Sequence, residues 1–424
     1  MTTREPVQPA ALTRLGLDGL RRLRAPHGFD ASDSTYRALY GRDALWSILL
    51  LAEAVSLGAR PEVVAVTREA GLDALRSLAA LQGTRVDDRV EEQPGKIPHE
   101  YHPHPSSHVR AARLQLADGR SYAGFDETFL FILAYEALAK VLPDRTLLDP
   151  LQSNLERAHT WINDYADADG DGFFEYLRRE PSNLLNQVWK DSFDSATHTG
   201  FDVPPQPLAW IEIQAYAYAV HLAAARRLAS RGDPAEQLHR CAASKLAERI
   251  DRAFWLGDDE GYAMALDGNK CPVRLASSNP GHALWAGVVH IDRVEPLVKR
   301  FTRPDLLSEF GVRSLASSCS WYAPFAYHRG AVWPFDNAVL ALGLLRSGHA
   351  HEAVDIARRV GAALLRAATP IECYVVLDPP VFLEPGVTRP NEPTLCWRDW
   401  PVRNRVQAFT CAALVVFGTL LEAA

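Results

Sequence analysis

Asp43-Ala44-Leu45-Trp46-Ser47-Ile48-Leu49-Leu50-Leu51-Ala52-Glu53-Ala54-Val55-Ser56-Leu57, followed by Gly58-Ala59-Arg60-Pro61, decides how this chain is read. Apolar residues recur at helical spacing from Asp43 to Leu57. Pro61 then opens another helix, because its fixed φ and missing N–H suit a first helical turn. A helix over 43–57 and one over 61–83, joined by so short a turn, make a helical hairpin. The pair 336–347 and 350–367 repeats the arrangement. Further helical patterns cover 126–142, 147–164, 207–231, 234–254, 281–289, 292–301 and 406–422, and another lies near 11–24.

Long segments rich in Pro, Gly and aromatic residues separate these pairs, at 84–125, 165–206, 303–335 and 368–405. Long connections inside a compact domain are usually functional. The expected fold is therefore all-α: an (α/α)6 barrel of six helical hairpins. Short turns would lie at one end, and long loops with minor β pieces would form a site mouth at the other. The β pieces fall at 261–266 and 374–377. No low-complexity linker divides the chain, so a single domain over 1–424 is expected.

The composition is that of an ordinary globular protein, 47% hydrophobic and 23% charged over 424 residues. A net charge of −7 with no basic block argues against nucleic acid or an anionic membrane as partner. The polar start, Met1 to Ala10, lacks the apolar core of a secretion signal. No apolar run approaches the ~20 residues of a membrane span. The six cysteines show no paired spacing and read as reduced thiols, so a cytoplasmic location is expected. The oligomeric state leaves no signal in the sequence.

Two acidic segments carry the chemistry. In Trp189-Lys190-Asp191-Ser192-Phe193-Asp194, burial beside Trp189 and Phe193 would keep Asp191 protonated, as a general acid needs. Asp194 would push the same way, and Lys190 the opposite way if it points inward. The same segment also reads as a capping loop of Asp and Ser. In Pro370-Ile371-Glu372-Cys373-Tyr374, Glu372 is either a base that activates water or the ion-pair partner of an arginine. Glu384 is the competing base. Tyr40-Gly41-Arg42-Asp43 opens a helix, where Arg and Asp can grip adjacent sugar hydroxyls or Asp43 can simply cap. Tyr327 to Asn337 packs donors, aromatics and a helix start together, which favours binding. Ten tryptophans serve either core packing or sugar stacking.

Asp167, Asp169 and Asp171 resemble the first half of a calcium-binding loop, but the twelfth position is Arg178 rather than Glu, so the motif is incomplete. His99, His102, His104 and His108 lie in a Pro-rich loop without metal-ligand spacing. There is no Gly-rich phosphate loop and no Gly-x-Ser-x-Gly elbow.

These blocks, in this order, resemble the catalytic domain of glycogen-debranching, amylo-α-1,6-glucosidase-like proteins, a group related to mannosylglycerate and glucosylglycerate hydrolases. The likeness begins at Leu39–Asp43. It continues through Gly95–Glu100, Asp169–Tyr176, Asn186–Ser195, Pro204–Tyr218, Tyr262–Lys270, Ser278–His282, Gly311–Ala316 and Tyr327–Asn337, and closes at Trp400–Phe409. It implies an (α/α)6 barrel and hydrolysis of an α-glycoside with inversion, without an organic cofactor. It assigns the acid to Asp191 and the base to Glu372. It implies that Tyr40, Arg42, Asp43, Trp189, Asp194, Glu212, Gln214, His282, His328, Arg329 and Trp333 hold the sugar. The chain departs from the pattern at Pro370–Cys373, at Phe335 where a His is usual, and at Phe193 where a Gly is common. The family's large debranching members carry an extra N-terminal domain; this catalytic size is closer to the hydrolases of small glucosyl or mannosyl conjugates. A phosphorylase, with Arg329 and Arg403 near the acid, and a non-catalytic sugar-binding protein are the alternatives.

Overall fold

The computed structural model describes residues 7–103, 118–200, 202–377 and 404–424, and the backbone of 394–396. Glu384, Arg403, His104, His108 and the start of the Trp400–Phe409 block lie outside the described residues. Twelve α-helices occur among the described residues, in chain order α1 (Pro9–Leu23), α2 (Gly41–Ser56), α3 (Pro61–Ala80), α4 (Glu127–Val141), α5 (Gln152–Tyr165), α6 (Ile211–Ala229), α7 (Glu236–Phe254), α8 (Pro280–Ala286), α9 (Ile291–Phe301), α10 (Pro334–Arg346), α11 (Ala350–Ala367) and α12 (Ala408–Ala423).

The even-numbered helices are apolar nearly all round and buried nearly all round. In α2, Leu45, Trp46, Ile48, Leu49, Leu50 and Leu51 are all buried, and in α12 so are Leu414, Val415, Val416 and Phe417. The odd-numbered ones are amphipathic: α7 buries only the stripe Ala243, Leu246, Ile250 and Phe254. That contrast separates inner from outer helices. Each inner helix packs against the next: α2 on α4, α4 on α6, α6 on α8, α8 on α10, α10 on α12, and α12 back on α2. Outside them, α3 covers α2, α5 covers α4, α7 covers α6, α11 covers α10 and α1 covers α12.

The differences from the sequence reading have local causes. The element expected at 147–164 splits into a 3-10 turn, Arg145–Leu151, and α5, because Pro150 cannot donate to a continuous ladder. The helix expected from 207 begins at Ile211, because Ala209–Trp210 is a short strand paired with Ala265–Leu266. The helix expected over 281–289 ends at Ala286, where Gly287 takes a left-handed φ of 79° and caps α8. The strand expected at 374–377 is Val375–Leu377, paired with Thr394–Cys396. Several two-residue strands were not legible at all, such as Leu39–Tyr40 beside Glu100–Tyr101. Two residues carry no periodicity to read. No helix among the described residues is long and apolar enough to cross a membrane.

Helices α1 and α12 approach closely because α1 presents glycine. A Cβ on Gly16 would lie 2.5 Å from the Cys411 carbonyl oxygen, a backbone atom that cannot rotate away. Gly16→Val should therefore lower unfolding stability by about 1–3 kcal/mol, read as a lower urea midpoint with an unchanged slope.

Candidate active site

The six inner helices begin among the long loops, and their first turns are acidic or polar: Asp43 in α2, Glu127 in α4, Glu212 in α6, His282 in α8, Asp336 in α10 and, just before α12, Gln407. Helix N-termini favour negative charge there. A cavity of about 160 Å³ opens beside them, lined by Tyr40, Arg42, Asp43, Trp189, Asp191, Tyr327, His328, Trp333 and Glu372. At ~10–15 Å³ per water it has room for roughly ten waters, or one sugar ring. Both carboxylates singled out in the sequence line this one cavity.

Glu372 is 2% exposed. The Tyr327 hydroxyl donates to its Oε1 at 2.5 Å, and the Asn404 amide donates to its Oε2 at 3.0 Å. Burial pushes its carboxyl up to about 8, and the two donors pull it part of the way back. Asp191 is more open, with 28% of its side chain exposed, and accepts from the Arg42 guanidinium at 3.2 Å. Arg42 is itself buried and forks onto Asp126 at 2.7 and 2.9 Å, with Glu127 at 3.5 Å. Asp43 accepts from Gln407 at 2.5 Å, and burial pushes it up to about 6.

The loop that carries Asp191 is fixed from below. Lys190 does not face the acid, as one sequence reading allowed. Its ammonium is fully buried, lies 4.9 Å from the Trp189 ring centroid and donates to the Ser314 carbonyl at 2.5 Å. Burial lowers its pKa to about 8, against the pull of Asp336 and Glu212. Ser314 N–H in turn donates to Ala331 O at 2.9 Å, and Val332 exchanges hydrogen bonds of 2.8 and 3.0 Å with Tyr374, two residues past Glu372. A continuous hydrogen-bonded path thus joins the segments that bear the two carboxylates.

His328 ties the loops from above. Its Nδ1 accepts the Ser192 backbone N–H at 3.3 Å and lies 2.9 Å from the Ser192 hydroxyl. Nδ1 therefore keeps its lone pair, and the neutral ring carries its proton on Nε2. Nε2 has no hydrogen-bond partner among the described residues, and the ring lines the cavity. Burial holds this histidine well below its usual pKa, so it offers a neutral donor. Its ring stacks on Trp333 at 5.0 Å and meets Trp189 edge-on at 5.6 Å.

Other expected sugar contacts lie off the cavity lining. Asp194 and Arg329 pair with each other at 2.7 Å, and the Arg329 guanidinium lies 4.2 Å from the Trp321 ring centroid. Glu212 accepts from Asn279 at 3.0 Å and is fully buried, which raises its pKa to about 8. Gln214 closes onto the Phe174 backbone, accepting at 2.9 Å and donating at 2.6 Å. His282 bridges Tyr216 at 2.7 Å and Asp336 at 3.0 Å. Each of them is thus engaged by protein groups, although the second Glu212 oxygen, Oε2, has no hydrogen-bond partner among the described residues. Conversely, Tyr36, His99, Leu184, Phe335, Gln407 and Phe409 line the cavity without having been singled out for it. His99, Phe335, Gln407 and Phe409 fall in three of the resemblance blocks, which was the available signal.

The candidate calcium turn is occupied by its own chain. Asp167 accepts three backbone N–H groups, from Gly170, Asp171 and Gly172, at 2.7, 3.1 and 2.8 Å. The Lys270 ammonium lies 2.8 Å from Asp169, 3.2 Å from Asp171 and 2.5 Å from Glu175. A metal ion there would have to displace it. His99 and His102 each meet a carboxylate, Glu127 at 2.7 Å and Glu100 at 3.0 Å.

Known proteins can now be set beside this geometry. The model of the mannosylglycerate hydrolase MGH1-like glycoside hydrolase domain matches residues 74–374. The chain belongs to this family of glycoside hydrolases. The GH63 mannosylglycerate hydrolase from Thermus thermophilus, in complex with glucose, is similar in fold: 15% identity, TM-score 0.67, covering 96% of this chain and 99% of that one. The same enzyme with Tris and D-glycerate gives 14% identity and TM-score 0.67 over the same 96% and 99%. A structure described as a wild-type glycosidase aligns at 14% identity and TM-score 0.61, covering 98% of each chain. No curated protein matches. The match falls on the mannosylglycerate-hydrolase side of the resemblance, and neither of these two similar proteins is described as a glycogen-debranching enzyme.

A buried carboxyl raised to about 8 favours folding only while it is protonated. Its stabilising contribution is complete below the ordinary carboxylate pKa of ~4.3 and is lost as pH rises through 8. Glu372→Gln should therefore exceed the parent in stability most at pH 9, on the order of a few kcal/mol, and least at pH 5, in urea unfolding at both pH values. Glu212, raised in the same sense, leaves a residual pH dependence in the variant.

Proposed function

We propose that this chain is an inverting α-glycosidase that removes a glucosyl or mannosyl residue from an oligosaccharide or small glycoside. The carrying observation is that Asp191 and Glu372, remote in sequence, line one sugar-sized cavity. The six inner helices are read as the inner ring of an (α/α)6 barrel, with residues 1–424 as one catalytic domain. Asp191, partly exposed, protonates the glycosidic oxygen as the bond to the anomeric carbon breaks. Glu372 takes a proton from water attacking the opposite face. A base with pKa near the working pH is well matched to that step. The two carboxyl groups are expected ~6.5–9.5 Å apart, which leaves room for the water. The proton gained by Glu372 and the one lost by Asp191 are exchanged with solvent before the next turnover.

Arg42 and Asp43 would hold ring hydroxyls, His328 Nε2 would donate to one, and Trp189 and Trp333 would face the apolar side of the ring. The glycerate and glucose bound by the Thermus enzyme support a sugar conjugate as substrate class. The phosphorylase reading is less supported, because Arg329, one of its two candidate cations, is held by Asp194. A cytoplasmic location is consistent with the five cysteines that are free among the described residues.

One observation favours exchanged roles. At neutral pH an empty-site carboxyl near 8 carries a proton, which would make Glu372 the acid. Leaving-group dependence separates the two readings. With α-glucosyl and α-mannosyl fluorides, whose fluoride leaves without protonation, Asp191→Asn should keep most of its rate while losing about 10²–10⁴-fold on ordinary glycosides. Glu372→Ala should fail on both and recover with azide, yielding the inverted glycosyl azide. The opposite pattern assigns the roles the other way. Release of the α-anomer by the unaltered protein, seen by NMR, would sink inversion.

A further inference from the structure

Among the described residues, Phe193 and Phe325 are the exposed aromatics, at 76% and 40%. Phe193 follows Asp191 by two residues, and Phe325 precedes Tyr327 by two, and Asp191 and Tyr327 both line the cavity. Their loops are joined to each other, not merely adjacent in sequence to the site. Asp194 pairs with Arg329 at 2.7 Å, the Trp321 indole N–H donates to Asp194 O at 2.8 Å, and Ser192 meets His328 at 2.9 Å. The segments flanking Phe193 are buried, with Trp189, Lys190, Ser195 and Ala196 at 5% exposure or less. A phenyl ring held in water by so rigid a loop is apolar surface with no partner of its own.

Position points to what that partner is. The group that leaves with the glycosidic oxygen lies on the acid's side of the cleaved bond, so the aromatics beside Asp191 lie on that side as well.

We infer that Phe193 and Phe325 form a rim subsite for the leaving group, and that this group carries a ring face, as a second sugar or an aryl group does. This rests on the proposed acid role of Asp191. Aromatic faces take the C–H face of a sugar or an aryl ring without needing a counter-charge.

The test compares the unaltered protein with Phe193→Ala and Phe325→Ala on α-linked disaccharides, aryl α-glycosides, glycosylglycerates and the glycosyl fluorides, in both the glucosyl and mannosyl series. Both side chains are exposed, so their loss leaves the fold intact. The expected result is a fall of about tenfold in kcat/KM for ring-bearing leaving groups, carried by KM, with the fluorides unchanged. The unaltered protein should also prefer ring-bearing leaving groups to glycerate. An unchanged kcat/KM on every ring-bearing substrate, an equal loss on the fluorides, or a preference for glycosylglycerates overturns the inference while leaving the glycosidase standing. No hydrolysis of any substrate, fluorides included, overturns the glycosidase reading and the subsite with it.

Discussion

The guanidinium of Arg42 is the contact on which the mouth of the bundle depends. Six helices start together, and their first turns bring carboxylates into a space with little water. Arg42 leaves α2, forks onto Asp126 at the head of α4, reaches toward Glu127, and extends its third nitrogen to Asp191. Two of those carboxylates are fully buried. Without the cation they would be uncompensated charges, a far larger penalty than the net worth of the pairs themselves. The same residue therefore holds two inner helices in register and locates one of the two carboxyls singled out at the cavity.

The opposing carboxyl is located by different means. Among the described residues Glu372 meets no cation; its position comes from Tyr327, Asn404 and the short pairing of Val332 with Tyr374. One side of the cavity is thus set by charge and the other by neutral donors in a dry environment. That asymmetry separates the two acids chemically even though both line one space. Groups whose surroundings differ in this way can take complementary parts in proton transfer. The buried Lys190, fastened to Ser314, links the two sides through the backbone, so neither can drift without the other.

Much of this was legible in the chain, for identifiable reasons. Inner helices are apolar nearly all round, Pro61 marks a first turn, and the connections between paired helices are short, so the helical pairs could be read directly. Asp191, Glu372, Arg42 and Asp43 stood out because each lies in a short run of aromatic and polar residues. What could not be read was direction. Glu212, Gln214 and His282 open inner helices as Asp43 does, yet their partners are Asn279, Phe174, Tyr216 and Asp336. A polar residue in a first helical turn looks alike in sequence whether it meets a ligand or its own protein. Tyr36 and Leu184 escaped notice for the converse reason: each is a single side chain from a separate segment, brought to the cavity only by the tertiary fold. The two-residue strands were invisible because their pairing is wholly non-local.

Lys270 adopts a left-handed backbone, φ 59°, that a lysine rarely takes unless its surroundings hold it there. Asp267 does so, its carbonyl taking the Lys270 N–H and its carboxylate those of Asn269 and Cys271, while the Lys270 ammonium reaches three carboxylates. The turn at Asp167–Gly172 thereby owns its counter-ion through a covalent tether. A dissolved ion comes and goes with its concentration, and chelators can strip it. A tethered one stays at high local concentration whatever the solution contains, so the connection leading out of α5 toward the loop that bears Asp191 keeps its shape in media where a calcium-dependent turn would come apart.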